Sequence, residues 1–337
     1  MSTGHKSTPD RSSEDFGLRH RLLAWRVLSL LNLTQRSATP AYRRATGLSD
    51  GEWRIVYQVG IHAPVSLVQL AALLRRDKSQ VSRTVGGLVT RGVLARLSRR
   101  ALLDLSSRGR NLFSRILRLA EARNRTLIQG LSDVQLKRLR SMMARLQGQA
   151  RRLIAASQLQ ACSTVESRQA LVAARLTDRA GLLETDVKPR DRLILPDFIN
   201  LLNLLRSSST AVFRRATGMP EFEWQIVSQV GEHGILTLIE LVSNMERDNS
   251  QVGRAVKRLV RQGHLLAYQI GRARHIRLVI TPSGRRIYER AARLALARNA
   301  RLVRDLSREE ERILFAILDR LTDNAADLLS RPRTRGS

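Results

Sequence analysis

Two stretches of this sequence are nearly the same: RRATGLSDGEWRIVYQVG at residues 43–60 and RRATGMPEFEWQIVSQVG at residues 214–231. They lie 171 positions apart, and 12 of their 18 residues are identical. The similarity continues through residues 60–89 and 231–260, so it covers a structural domain and not a short motif. One folded unit has therefore been duplicated within the chain. Two copies of a dimer-forming fold in one chain predict an internal pseudo-dimer.

The composition fits a soluble protein with two domains. The 337 residues are 43% apolar, which is enough to bury two cores of ordinary size. The formal net charge of +30 indicates a polyanionic partner, either nucleic acid or an anionic membrane. The sequence has no long apolar run and no signal-peptide pattern, so we expect a cytoplasmic, DNA-associated protein that does not bind membranes. Cys162 is the only cysteine, which excludes an internal disulfide.

Start signals predict two short helices in quick succession in each repeat. Ser66-x-x-Gln69 and its counterpart Thr237-x-x-Glu240 are capping boxes that precede apolar runs. A second helix follows a few residues later, with an aspartate cap and one apolar stripe. The cap and stripe are Asp77, Val81, Val85, Leu88 and Val89 in the first repeat, and Asp248, Val252, Val256, Leu259 and Val260 in the second.

A glycine stop and a β-hairpin follow the second helix in each repeat. Gly92 and Gly263 stand where a left-handed helix terminus is expected. In the second repeat, strand-like segments at 264–270 and 275–281 flank a basic tip, whereas the first repeat has a hairpin four residues shorter at 93–106. Two helices, a glycine stop and a hairpin predict a winged helix-turn-helix.

The predicted fold class is mainly α-helical with small β-hairpin wings, as two fused winged helix-turn-helix domains. After each wing comes a long helix, at 110–130 or 285–305, and then a further helix opened by Ser132 or Ser307. The predicted segments are a disordered leader at 1–14, domain 1 with the short wing at 15–156, a partly helical linker at 157–196, domain 2 with the full wing at 197–331 and a basic tail at 332–337.

These features together resemble the multiple antibiotic resistance regulator (MarR) family of bacterial transcription factors, matched twice. The resemblance rests on EWRIVYQVG and EWQIVSQVG, on DKSQVSRTVGGLVTRG and DNSQVGRAVKRLVRQG, and on ITPSG after the second wing. It implies a dimer of winged helices joined through amino- and carboxy-terminal helices. It also implies repression of promoters and release by small phenolic or aromatic-acid effectors. Here one chain supplies both halves.

The wings depart from the family pattern, which usually carries Asp-x-Arg. The aspartate position holds Arg272, while the arginine position keeps Arg274. Insertion of Arg274 into the minor groove fits this arrangement, with Arg272 adding attraction to phosphate. In the truncated first wing, Arg99 or Arg100 reaches only the nearby DNA backbone. We therefore expect the first repeat to read DNA mainly through its helix.

The second short helix is expected to place its amino-terminal turn in the major groove. Glutamine reads adenine and arginine reads guanine, whereas serine is tolerant and lysine chiefly contacts phosphate. Alternatively, the serines support the cap, the glutamines close a capping box and the arginines form a solvated face. The candidate DNA-binding residues are Ser79, Gln80, Ser82 and Arg83 in the first repeat, and Ser250, Gln251, Arg254 and Lys257 in the second.

A candidate effector site combines repeated arginines with a repeated tryptophan, because a guanidinium beside an indole can hold an aromatic carboxylate. The favoured alternative is that the tryptophans fill the core and the arginines face solvent or DNA. The candidate residues are Arg43, Arg44 and Trp53 in the first repeat, and Arg214, Arg215 and Trp224 in the second.

Enzymatic functions find little support. The sequence has no phosphate-cradling glycine loop, metal-ligand spacing or nucleophile motif, so we expect neither catalysis nor a cofactor or metal. Three functions are weighed: a sequence-specific regulator, an architectural DNA binder favoured by the charge and by Gly86-Gly87, and a protein-interaction adaptor. A monomeric pseudo-dimer is favoured because a linker makes the pairing intramolecular, although a homodimer is compatible with the sequence.

Overall fold

The structure, a computed structural model, describes residues 21–74, 76–97, 102–161, 193–245, 249–269 and 276–330. The predicted leader and tail, Cys162 and most of the predicted linker lie outside the described residues. Within the described ranges, two groups of helices and strands follow one another in the same order.

The first group contains α1 (Leu23–Thr46), α2 (Asp50–His62), β1 (Val65–Ser66), α3 (Leu67–Leu74), α4 (Lys78–Thr90), β2 (Leu94–Leu97), β3 (Leu102–Leu105), α5 (Ser107–Leu127) and α6 (Asp133–Ala161). The second group contains α7 (Leu195–Thr217), α8 (Glu221–His233), β4 (Ile235–Thr237), α9 (Leu238–Met245), α10 (Asn249–Arg261), β5 (Leu265–Gln269), β6 (Ile276–Ile280), α11 (Pro282–Val303) and α12 (Arg308–Ser330). A mainly helical fold with small antiparallel wings is thus confirmed.

The predicted capping boxes at Ser66, Thr237, Ser132 and Ser307 and the glycine stops are confirmed, whereas the predicted Asp248 cap lies outside the described residues. The backbone N–H of Ser66 donates to Oε1 of Gln69 at 2.9 Å, and the N–H of Gln69 donates to Oγ of Ser66 at 3.2 Å. The counterpart box in the second repeat and those at Ser132 and Ser307 make the same reciprocal bonds. Gly92 and Gly263 adopt positive φ values of 66° and 73°, which end α4 and α10.

Each wing belongs to a three-stranded sheet, whereas the sequence predicted only two strands in each hairpin. The strand orders are β1-β3-β2 and β4-β6-β5, with Val65 opposite Leu103 and Leu236 opposite Leu278. The added strands, β1 and β4, are only two and three residues long. They form because a partner strand distant in sequence satisfies their backbone groups, a pairing that local periodicity does not reveal.

The apolar positions build one core in each group. The stripe predicted for the second short helix is buried at Val81, Val85 and Leu88, and its counterpart is buried at Val252, Val256 and Leu259. The stripe of the first group packs with residues of α2 and the wing strands, and that of the second group packs with α8 and its own wing strands. The core therefore fixes each second helix against its tryptophan-bearing helix.

The chain divides into two compact units whose boundaries follow residues 26, 207 and 304. The described residues of Val27–Ser207 and Asp305–Ser337 form one unit, in which α12 packs against α5 and α6. The described residues of Met1–Arg26 and Ser208–Arg304 form the other. The last helix thus belongs to the unit that contains the first wing. The predicted domain boundaries at 15–156 and 197–331 stay predictions.

Candidate nucleic-acid interface

The helix α4 begins at a well-formed aspartate cap. The Asp77 carboxylate accepts from the backbone N–H groups of Ser79 and Gln80 at 2.8 and 3.3 Å, and the Ser79 hydroxyl also donates to it. These hydrogen bonds, that of the Ser79 hydroxyl foremost, lower the pKa of Asp77, so the cap is ionised at neutral pH. Ser79 therefore supports the cap, as the alternative interpretation of this serine proposed.

The helices α4 and α10 are named the recognition helices from here on. Each has one buried apolar face and one exposed polar face. Their apolar stripes are buried in the two cores. On the opposite side, Arg83 and Arg254 are exposed, and each stands within the first two turns of its helix. Of the other candidates, Ser82 is half-buried, and the exposed ones are Ser79, Gln80, Ser250, Gln251 and Lys257. Their contact with DNA stays a prediction.

An ion pair links each recognition helix or its end to the tryptophan-bearing helix. Arg91 Nη1 lies 2.5 Å from Glu52 Oε1, and Arg258 Nε lies 2.8 Å from Glu223 Oε1. Burial raises the pKa of Glu52, but hydrogen bonds from Ser49 and the charge of Arg91 outweigh that effect and leave it below its ordinary value. These pairs complement the apolar contacts in setting the angle at which the recognition helices are held.

The tips of both wings lie outside the described residues. The second wing is described up to Gln269 and again from Ile276, so the predicted contacts of Arg272 and Arg274 with DNA stay predictions. The same holds for Arg99 and Arg100 in the first wing. The strands that carry these tips have four residues in the first sheet and five in the second, in agreement with the shorter first wing.

The candidate effector residues are not brought together by a described contact. Trp53 stacks on Tyr42, with ring centroids 4.2 Å apart, and Trp224 stacks on Phe213 at 4.4 Å. Both tryptophans pack against the cores, as the favoured alternative predicted. Within the described ranges, the buried Nε1 atom of each indole has no hydrogen-bond partner. The four arginines paired with these indoles in the sequence prediction are exposed: Arg43, Arg44, Arg214 and Arg215.

Two other arginines, absent from the sequence prediction, are partly buried: Arg123, which lies near Tyr42, and Arg298. Arg123 donates to the backbone oxygens of Thr34 and Ser37 and to Oγ of Ser37, at 3.1, 3.3 and 2.7 Å. Its counterpart Arg298, 175 positions later, donates to Oγ of Ser208 at 2.7 Å. Burial lowers the pKa of both guanidinium groups, yet among the described residues neither has a carboxylate partner.

The environment of Tyr42 links the stacked aromatic pair to Arg123. Burial raises the pKa of the Tyr42 phenol to about 12, and the charge of nearby Arg123 opposes that rise. A desolvated guanidinium without a counter-charge attracts anions more strongly than an exposed one. Repetition of Arg123 and Arg298 at equivalent positions is the sequence signal that would have identified these two arginines.

Other kinds of site receive no support from the described part of the chain. There, no group of three or more histidine, cysteine, aspartate or glutamate side chains is placed to hold a metal ion. None of the helices in the described ranges combines the length and apolar character needed to cross a membrane.

Several solved structures are similar to parts of this chain. A MarR protein from Peptoclostridium difficile is 16% identical, with 45% of this chain and 97% of that chain covered and a TM-score of 0.38. NadR in complex with 4-hydroxyphenylacetate is 19% identical, with 37% and 90% covered and a TM-score of 0.33. A mutant MarR from E. coli complexed with operator DNA is 17% identical, with 36% and 90% covered and a TM-score of 0.31. No curated protein matches the chain.

A family model also matches the sequence itself. The match to the MarR family covers residues 46–101, which include α2, the recognition helix α4 and the first strand of the short wing. These are the elements that the cap, the buried stripe and the ion pair to Glu52 hold together. Residues 46–101 of this chain are thus similar to the MarR family.

Proposed function

We propose that this protein is a sequence-specific, double-stranded DNA-binding transcriptional regulator that acts as a repressor in the bacterial cytoplasm. The observation that carries this proposal is the division of the recognition helices into a buried apolar face and an exposed face with Arg83 or Arg254 near its start. Reading base edges requires exposed side chains on a helix whose axis is fixed. The similarity of residues 46–101 to the MarR family supports the same function.

Both recognition helices act from one chain, which is a monomeric pseudo-dimer. Two equivalent hydrogen bonds support this arrangement. The N–H of Ile194 at the start of α7 donates to Oδ1 of Asn124, and the N–H of Leu23 at the start of α1 donates to Oδ1 of Asn299, both at 3.0 Å. Each repeat's long helix thereby holds the first helix of the other repeat, as subunits do in a symmetric dimer. The operator is then imperfectly symmetric, with half-sites roughly 34 Å apart.

A salt series tests this function. Binding of the full-length protein to its own upstream DNA and to random DNA of equal length is measured by fluorescence anisotropy from about 50 to 200 mM salt. We expect both affinities to fall with salt, while the upstream DNA retains a preference of roughly 1,000-fold or more, because base contacts survive screening. Equal affinities that fall together on all natural promoter fragments would contradict sequence-specific regulation.

An architectural, low-specificity DNA binder is the second candidate function. The net charge of +30 favours it, and so does Gly86-Gly87, which weakens the first recognition helix by about 1 kcal/mol per glycine. Neither glycine has a neighbour within 4 Å of the position of a Cβ atom, so packing does not require them. The salt series separates the two functions, because an architectural binder shows no preference at any salt concentration.

We also propose that a small aromatic acid releases the repressor from DNA by binding beside Arg123 or Arg298. Each arginine is partly buried and lacks a carboxylate partner among the described residues, and each lies in the repeat that carries a stacked indole with an unbonded Nε1. A carboxylate supplies the missing charge and the ring adds apolar contact. The sequence-predicted arginines, by contrast, are exposed.

Titration with 4-hydroxyphenylacetate, the ligand in the NadR structure, tests this site. We expect Arg298→Gln to weaken binding, measured by calorimetry, about 10-fold or more, because a charged hydrogen bond is lost. Arg214→Ala serves as the control and leaves binding unchanged, since that side chain is exposed. Loss of binding in the Arg214 variant alone would restore the sequence-predicted site, and a wild-type protein that binds no aromatic acid would reject the proposal.

A further inference from the structure

The turn between α11 and α12 is tied to α6 by charge. This segment, named the second turn, comprises residues 304–307. Arg145 on α6 donates to both carboxylate oxygens of Glu310 at 2.6 and 2.8 Å and also to the backbone oxygen of Asp305. Arg152, two turns further along α6, lies 2.8 Å from the Asp305 carboxylate. The hydrogen bond from Arg145 is the main reason that the pKa of Glu310 falls to about 2.

The equivalent contact on the other side has no acid in its turn. The first turn, residues 128–132 between α5 and α6, faces α12, where Arg320 is the counterpart of Arg145 at a shift of 175. A Cβ atom on Gly130 would stand 2.9 Å from Nη1 of Arg320, so the guanidinium lies directly over that glycine. Asn324 donates to the backbone oxygens of Leu127 and Gln129 at 2.8 and 2.9 Å.

The contact of α6 with the second turn and the contact of α12 with the first turn, named the two junctions, therefore differ in charge at three equivalent positions. The acidic positions of the second turn and its helix correspond to uncharged residues in the first, and the basic Arg152 corresponds to an acid. The corresponding pairs are Asp305 and Gly130, Glu310 and Gln135, and Arg152 and Asp327. A pairing of α6 with a first turn would leave Arg145 and Arg152 without acids. A pairing of α12 with a second turn would place Asp327 near Asp305, which like charges oppose, but it would also place Arg320 against Glu310, where Arg145 now lies.

We propose that these charges are a pairing code: α6 prefers a second turn to a first turn, because only the second turn and the helix after it carry the acids that Arg145 and Arg152 bind. The code favours DNA-binding forms that contain one winged domain of each kind. It rests on the proposed internal pairing of the two repeats. It also gives the chain a specific alternative partner, namely the complementary half of a second copy.

The charges of the code affect which halves associate more than they affect the free energy of unfolding. The four side chains remain 35–63% exposed, and exposed ion pairs contribute little to the free energy of unfolding. Discrimination depends instead on the difference between a matched and a mismatched arrangement, in which repulsive contacts count as much as attractive ones. The decisive experiment therefore measures which halves associate.

Two full-length variants with opposite reversals test the code. One carries Arg145→Glu and Arg152→Glu, and the other carries Asp305→Arg and Glu310→Arg. Within either variant the junction faces like charges, whereas each variant's α6 matches the other's second turn. We expect the mixture to form a heterodimer in which the α6 of each chain contacts the second turn of the other chain. Native mass spectrometry with differently tagged chains detects this heterodimer. Neither variant alone forms it, and wild type stays monomeric.

Two further proteins complete the experiment. All four substitutions in a single chain restore opposite charges within the chain, so this variant is expected to be a monomer. Its thermal midpoint should lie above that of either double variant and below wild type only by the capping bond between Ser307 and Glu310. A control mixture of Arg140→Glu/Arg151→Glu with Glu309→Arg/Glu311→Arg reverses charges on the same helices away from the ionic contacts, and it stays monomeric. A test mixture without heterodimers, or a fourfold variant that fails to fold, would overturn the code. This experiment contains no DNA, so its outcome does not depend on whether the protein binds DNA. Failure of the pairing code and failure of the proposed DNA-binding function can therefore be told apart.

Discussion

Replacement of Arg254 by alanine is expected to weaken binding to the specific operator about 10- to 100-fold and to relax preference at one base position. The Arg254 side chain is exposed near the start of α10, six residues into the helix. The buried stripe of α10 fixes the axis of that helix. An arginine that bonds a guanine edge in such a position contributes about 1–3 kcal/mol to discrimination. The measurement is the dissociation constant for the operator and for variants with each base pair changed.

A matched control is available on the same helix. Arg261 is also exposed but stands at the carboxyl end of α10, away from the first turns. Arg261→Ala removes the same charge, so we expect a small, sequence-independent loss of affinity. The equivalent change in the first repeat, Arg83→Ala, is expected to cost less than Arg254→Ala, because the first wing is shorter. Equal losses for Arg254→Ala and Arg261→Ala on every DNA would show that α10 contacts only the backbone.

Gly284→Ala is expected to destabilise the fold by about 3 kcal/mol, near the upper end of overpacking costs. A Cβ atom there would stand 2.1 Å from the backbone oxygen of His264 and 2.9 Å from Cγ1 of Ile280. The carbonyl cannot easily move, because it accepts from the N–H and the hydroxyl of Thr281, the cap of α11. The midpoint of thermal unfolding should fall by roughly 5–10 °C.

The same substitution elsewhere should have the opposite effect. At Gly87, in the exposed interior of α4, a Cβ atom would meet nothing within 4 Å, so alanine raises helix propensity by about 1 kcal/mol. The second repeat carries Arg258 at the corresponding position. Gly109 in the first repeat, whose Cβ atom would stand 2.1 Å from the oxygen of Val93, should behave like Gly284. A stable Gly284→Ala protein would mean that the junction of wing and long helix is more plastic than its contacts indicate.

Features that depend on neighbours in the sequence were predictable. The caps at Ser66 and Thr237 join residues three positions apart, so residue type and spacing alone specify their hydrogen bonds. The buried stripes follow from helical periodicity, and the glycine stops follow from the backbone freedom that Gly92 and Gly263 need at positive φ. The positions of the recognition helices and of their exposed arginines therefore follow from local sequence alone.

Features that depend on long-range packing were not predictable. Arg123 meets Ser37 across 86 positions and Arg145 meets Glu310 across 165, and many other arginines on these helices would fit a local pattern equally well. The candidate effector arginines illustrate the difference: repetition marked Arg43 and Arg214, but the fold leaves both exposed. The strand β1 likewise forms only because β3 supplies its partner.

The sequence by itself determined the winged-helix pattern, the ends of its helices and the faces that are buried, because these depend on capping, periodicity and charge over a few residues. The tertiary structure decided which arginines are desolvated, which are paired with acids and which stay in solvent. That choice depends on where distant helices cross, since an identical guanidinium is a solvated charge on one face and is desolvated or paired with a carboxylate on another.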